Sequence, residues 1–83
     1  MKQATAVESY LQSLGRVIRH HRERIALSQE GFALVVGLHR TYVGAVERGE
    51  SNLTLGSLLR IADALETTPA GLLNESETAA DRT

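Results

Sequence analysis

The stretch Ser28-Gln29-Glu30-Gly31-Phe32-Ala33-Leu34-Val35-Val36-Gly37-Leu38-His39-Arg40-Thr41-Tyr42-Val43-Gly44-Ala45-Val46-Glu47-Arg48-Gly49 decides how the chain folds. It reads as two short helices around one glycine. Ser28 is a good N-cap, because its hydroxyl can accept an orphan amide of the first turn. Glu30 then sets negative charge near the positive helix end. Phe32, Ala33, Val35 and Val36 supply the buried side, and Gly37 takes the left-handed conformation that closes a helix. The next helix spans about 39–48. Val43 and Val46 lie under it, His39, Arg40, Thr41 and Tyr42 crowd its first turn, and Gly49 ends it.

The flanking segments extend the same pattern. Leu11, Leu14, Val17, Ile18 and Ile25 form a helical stripe over about 8–24, weakened by Gly15. Thr54 caps a helix over about 55–66, which carries Leu55, Leu58, Leu59, Ile61, Ala62 and Leu65. Thr68-Pro69 pairs an N-cap with proline at the first helical position and opens a fifth helix ending at Leu72-Leu73. The single proline and the scarcity of alternating β-branched residues argue against a sheet. The expected fold is all-α, a compact five-helix bundle. It divides into a flexible arm at 1–7, one domain at 8–74 and a flexible acidic tail at 75–83.

Composition narrows the functional classes. The chain has 83 residues and no cysteine, which excludes disulfides and thiolate-bound zinc. The longest apolar run, Phe32 to Leu38, is too short to span a bilayer. The first residues lack an apolar signal core, so a cytoplasmic location is expected. Residues 1–48 hold Lys2 and six arginines against four glutamates, net +3, whereas residues 49–83 are net −4. Arginine, suited to forked contacts with phosphate and guanine, supplies eight of the nine basic residues. Charge asymmetry alone does not identify a partner, since any helical domain has solvated charged faces.

The arrangement at 28–48 adds the missing geometry. Two helices joined by a tight glycine turn, the second polar at its start and apolar underneath, form a helix-turn-helix. Leu38, Val43 and Val46 anchor the second helix, leaving His39, Arg40, Thr41 and Gly44 outward. A helix of this kind fills the DNA major groove with its N-terminal residues at base edges. Arg40 can fork onto guanine O6 and N7, and Thr41 offers a hydroxyl and a methyl. Gly44 keeps the face flat for close approach. Gln29 can meet a phosphate beside the exposed amides of its helix N-terminus.

The Ser28-Gln29-Glu30 start, the Ala33…Gly37-Leu38 spacing, Arg40-Thr41-Tyr42-Val43 and Val46-Glu47-Arg48-Gly49 together resemble the Cro/C1-type (Xre) helix-turn-helix family, over residues 14–73. Arg40-Thr41-Tyr42 followed by Asn52-Leu53-Thr54-Leu55 is also similar to the controller proteins of restriction-modification systems. The resemblance implies a lambda-repressor-like DNA-binding fold and a transcriptional regulator. That regulator would act as a homodimer on a pseudo-palindromic operator and regulate its own gene through its concentration. It implies base contacts at Arg40, Thr41, His39 and Gly44, and backbone contacts at Gln29, Ser28, Tyr42, Arg48, Asn52 and Arg22. Arg22 and Glu47 would form a partly buried ion pair tying the first helix to the recognition helix. Leu55, Leu58, Leu59 and Leu72, on the fourth and fifth helices, would form the dimer contact. Gly31 and Phe32 depart from the usual pattern, and Gly31 costs about 1 kcal/mol of local helix stability.

Other classes find little support. His20 and His21 point about 100° apart on a helix, and neither has a ligand partner at helical spacing, so no metal is expected. No nucleophile-base pair or phosphate loop is readable, so neither an enzyme, nor a cofactor, nor a small-molecule ligand is expected. The expected partner is double-stranded DNA. The alternative is an antitoxin or other protein-binding module that uses the same domain only for autoregulation.

Overall fold

The computed structural model describes the backbone of residues 2–81 and the side chains of residues 6–78. Five helices follow one another: α1 (Lys2–Arg24), α2 (Gln29–Val36), α3 (Arg40–Glu47), α4 (Leu55–Ala64) and α5 (Pro69–Asp81). No strand occurs among the described residues.

Local chemistry sets the helix starts. Ser28, Thr54 and Thr68 each accept an amide three residues on, from Gly31, Ser57 and Gly71, at 3.0, 3.1 and 3.0 Å. Gly37, at φ 79°, closes α2, and the amides of Gly37 and Leu38 both donate to the Ala33 carbonyl. Two helices end on residues less suited to the left-handed conformation: Ala26 after α1 and Glu66 after α4, at φ 60° and 59°. α1 therefore stops before Ile25, which is exposed instead of continuing the stripe.

Every helix contributes to one core. Ile18 of α1, Phe32 of α2, Val43 of α3, Ile61 of α4 and Leu72 of α5 are essentially inaccessible to solvent. α3 crosses α1 at backbone contact. A Cβ on Gly15 would lie 2.5 Å from the carbonyl oxygens of both Val46 and Glu47, and one on Gly49 would lie 2.7 Å from Gln12 Cα. Gly15, which sequence reading treats as a weak point of its helix, is what lets α3 seat against α1.

Both ends differ from the expected arm and tail. Residues 2–7 continue α1, and residues 75–81 continue α5; Met1, Arg82 and Thr83 lie outside the described residues. Neither extension contains a glycine or proline to stop a helix. The α5 extension is fastened to α1. The Tyr10 hydroxyl reaches the Leu73 carbonyl and Glu77 Oε2, both at 3.2 Å, and His21 Nε2 meets Glu75 Oε1 at 3.0 Å. Ser13 and Ser76 are buried, and the Ser76 hydroxyl donates to the Leu72 carbonyl at 2.7 Å. Burial, together with a hydrogen bond to the Glu77 carboxylate and its charge, raises the Tyr10 pKa.

The expected dimer contacts also divide. Leu58 and Leu72 are 6% and 0% exposed, so they belong to the domain's own core and are not free for a partner. Leu55 and Leu59, four residues apart on α4, remain 68% and 51% exposed. Helical periodicity marks all four as apolar but does not say which edge of the stripe the other helices cover. No helix among the described residues is long and apolar enough to cross a membrane.

Candidate nucleic-acid interface

The first turns of α2 and α3 converge on one groove. Ser28, Gln29, Glu30, Arg40, Thr41, Gly44, Arg48 and Arg22 line it. Arg40 and Thr41 are exposed at the start of α3, so both side chains are free to meet a ligand. The groove also receives the N-terminal ends of two helices, whose unpaired amides favour an anion.

Beneath the groove lies a buried polar network. Arg22 Nε donates to Glu47 Oε2 at 2.7 Å, and Arg22 Nη2 donates to Glu47 Oε1 at 3.0 Å. Arg22 Nη1 donates to the Leu27 carbonyl at 2.7 Å. Gln29 Nε2 donates to Glu47 Oε1 at 2.9 Å. The Glu47 carboxylate thus joins α1, α2 and α3, and it sets the amide of Gln29 at the groove. Both charged side chains are nearly inaccessible, at 9% for Arg22 and 2% for Glu47. The hydrogen bonds to Glu47 raise the Arg22 pKa, outweighing the burial that opposes it. A pair this buried is held by its complete set of partners, because an unpaired charge here is costly.

Arg22 is committed first to the protein's own structure. All three of its side-chain nitrogens bond the protein itself, so it forms part of the groove wall and supports the residues that project. Gly44 needs a correction. It is buried, not an open flat face, because other side chains lie over it. A Cβ at Gly44 would sit 3.1 Å from Arg48 Nη1 and 3.5 Å from Gln29 Oε1.

The remaining candidates occupy distinct places. His39 caps α3, its Nδ1 accepting the Thr41 amide at 3.1 Å. The His39 ring is thus partly committed to its own helix. Tyr42 is half-buried against the core. Asn52 is exposed in the loop between α3 and α4, away from the groove lining. Arg48 is exposed, and its Nε donates to Glu50 Oε1 at 3.0 Å.

Two features escape sequence reading. Glu30 and Glu50 bring acids to the rim of an otherwise basic groove. Arg60 of α4 donates from Nη1 to the Gly37 carbonyl at 3.3 Å, bracing the turn between α2 and α3. The short spacing from Arg48 to Glu50 is a usable signal for the first. The second joins residues 23 apart and has no local signal. No cluster of three metal-binding side chains occurs among the described residues.

Comparison with known proteins adds to this geometry. Residues 18–72 match the family model described as helix-turn-helix. The control protein C.SmaI of Serratia marcescens is 48% identical over 60 residues, covering 72% of this chain and 71% of that one. The control protein C.BamHI of Bacillus amyloliquefaciens is 38% identical over 61 residues, covering 72% and 75%. The crystal structure of the restriction-modification controller protein C.AhdI from Aeromonas hydrophila superposes with a TM-score of 0.72 at 44% identity, covering 75% of this chain and 94% of that one.

Proposed function

This chain belongs to the Cro/C1-type helix-turn-helix family of DNA-binding transcription regulators, and on that premise we propose that it is a restriction-modification controller acting as a homodimer on a pseudo-palindromic operator near its own gene. The observation that carries this reading is the groove at the start of α3. It presents Arg40 and Thr41 exposed, beside a Gln29 held in place by buried Glu47. The names of the similar control proteins support the restriction-modification role.

The roles follow from placement. Arg40 forks onto guanine in the major groove, a contact that discriminates by about 1–3 kcal/mol against the wrong base. Thr41 reads an adjacent edge or methyl. Gln29, Ser28 and Arg48 contact phosphates on the near side, and Asn52 reaches the backbone from the following loop. These phosphate contacts supply affinity and register, not sequence information. Leu55 and Leu59 form the centre of the dimer contact, since they are large, apolar and exposed on one face of α4. Dimerisation sets the two recognition helices about 34 Å apart, one turn of DNA. Occupancy then follows protein concentration, which is the basis for regulating its own gene in the cytoplasm.

Footprinting on the DNA upstream of its coding frame tests the proposal. Two protected half-sites, lost together in Leu59→Lys, are the expected result. Protection of one half-site that survives Leu59→Lys overturns the dimer. Arg40→Ala is expected to relax preference at one base pair per half-site.

A further inference from the structure

Arg48 is the last residue before the left-handed turn at Gly49, eight positions beyond Arg40. Its side chain does not continue past the helix end. Long side chains lean toward a helix N-terminus, so residue 48 naturally lies over residue 44, one turn back. Nη1 of Arg48 does lie there, 3.1 Å from where a Cβ on Gly44 would sit. The Gly49 turn, at φ 75°, folds Glu50 back onto α3, where its amide donates to the Ala45 carbonyl at 2.9 Å. From that position the Glu50 carboxylate holds Arg48 Nε at 3.0 Å. One edge of the guanidinium is thus tethered, and Nη1 lies above Gly44, where Gln29 Oε1 also approaches.

We propose that Gly44 is a positioning residue for Arg48: its missing side chain lets the guanidinium fold back along α3 and deliver a phosphate-binding charge midway along the recognition helix. This rests on the DNA-binding reading above and deepens it. A Cβ at residue 44 would stand 3.1 Å from Nη1, so the guanidinium must give way and leave the position it shares with Gln29, Arg40 and Thr41. The conformational permissiveness of glycine is not the reason for Gly44, which sits in ordinary helix. An alanine there fits the backbone and improves helix propensity. Its methyl meets only the far ends of two flexible side chains, Arg48 and Gln29, so the fold tolerates it.

The test is a double-mutant cycle of Gly44→Ala and Arg48→Ala. Binding to the upstream DNA is read by fluorescence anisotropy over a salt series, and melting is read by circular dichroism. Gly44→Ala is expected to melt no lower than wild type yet bind about tenfold more weakly, the loss of one charge-assisted hydrogen bond. Its salt slope should fall by about 0.9, the contribution of one phosphate contact. In the Arg48→Ala background the same substitution should change neither quantity. An equal loss in both backgrounds would mean that the methyl meets DNA directly, and would overturn the proposal. Wild-type affinity in Gly44→Ala overturns it equally. Failure of the wild-type protein to bind would refute the DNA-binding reading itself, an outcome distinct from either.

Discussion

Glycine-to-alanine replacement in two helices of this protein should have opposite signs. Gly15 lies inside α1 where α3 crosses it. A Cβ there would stand 2.5 Å from two carbonyl oxygens, and these belong to backbone that cannot rotate aside. Overpacking of a well-filled core costs about 1–3 kcal/mol, and contact with rigid backbone atoms of α3 places Gly15 near the upper end. Gain in helix propensity returns about 1 kcal/mol, leaving a net loss of about 2 kcal/mol. For a domain of this size each kcal/mol moves the midpoint by about 4–8 °C, so Gly15→Ala should melt about 10 °C lower. Gly56, in the first turn of α4, has only the Thr54 hydroxyl near its would-be Cβ, at 3.9 Å. Gly56→Ala should therefore gain up to about 1 kcal/mol and melt about 5 °C higher. Thermal unfolding followed at 222 nm decides both. A Gly15→Ala protein melting at or above wild type would refute the close crossing of α1 and α3, and with it the argument for how α3 is seated.

Three further outcomes follow from the network, the α1–α5 contact and the helix ends. Glu47→Ala strands the buried Arg22 charge and should cost about 3–5 kcal/mol in urea unfolding, whereas Arg22→Met with Glu47→Leu should restore stability and still weaken DNA binding, because Gln29 loses its anchor. The raised Tyr10 pKa means that its stabilising contribution is complete below about pH 10, the ordinary tyrosine value, and is lost as pH rises through the raised one. Wild-type melting temperature should accordingly fall more steeply above pH 10 than that of Tyr10→Phe. Glu66→Gly relieves a left-handed residue at the end of α4 and should stabilise the protein by about 1 kcal/mol in the same unfolding assay.

What sequence alone conveys here is mainly what is local. Ser28, Thr54 and Thr68 cap helices through bonds spanning three residues, and Gly37 closes α2 through its own backbone, so each leaves a signature within one turn. The five-helix all-α architecture follows from such signatures and from apolar spacing. The features that escape depend on partners distant along the chain. Gly15 looks like a flaw until α3 is placed across it. Leu58 and Leu59 are adjacent and equally apolar, yet only packing shows that one belongs to the core and the other to the surface. The extended end of α5 gains its support from Tyr10 and His21 reaching Glu77 and Glu75, pairs more than 50 residues apart. At the site, Arg40 and Thr41 are found where the helix-turn-helix reading puts them, at an exposed helix start. The covering of Gly44 by Arg48 depends on a rotamer that spacing permits but does not dictate.

On the reading proposed above, the groove at the start of α3 reads DNA. The most direct test is a salt titration of binding to the duplex just upstream of the coding frame, against a scrambled duplex of the same length. Tighter binding to the upstream duplex at every salt concentration is expected, weakening steeply and linearly in log–log form as phosphate contacts are screened. Equal, weak binding to both duplexes would contradict it.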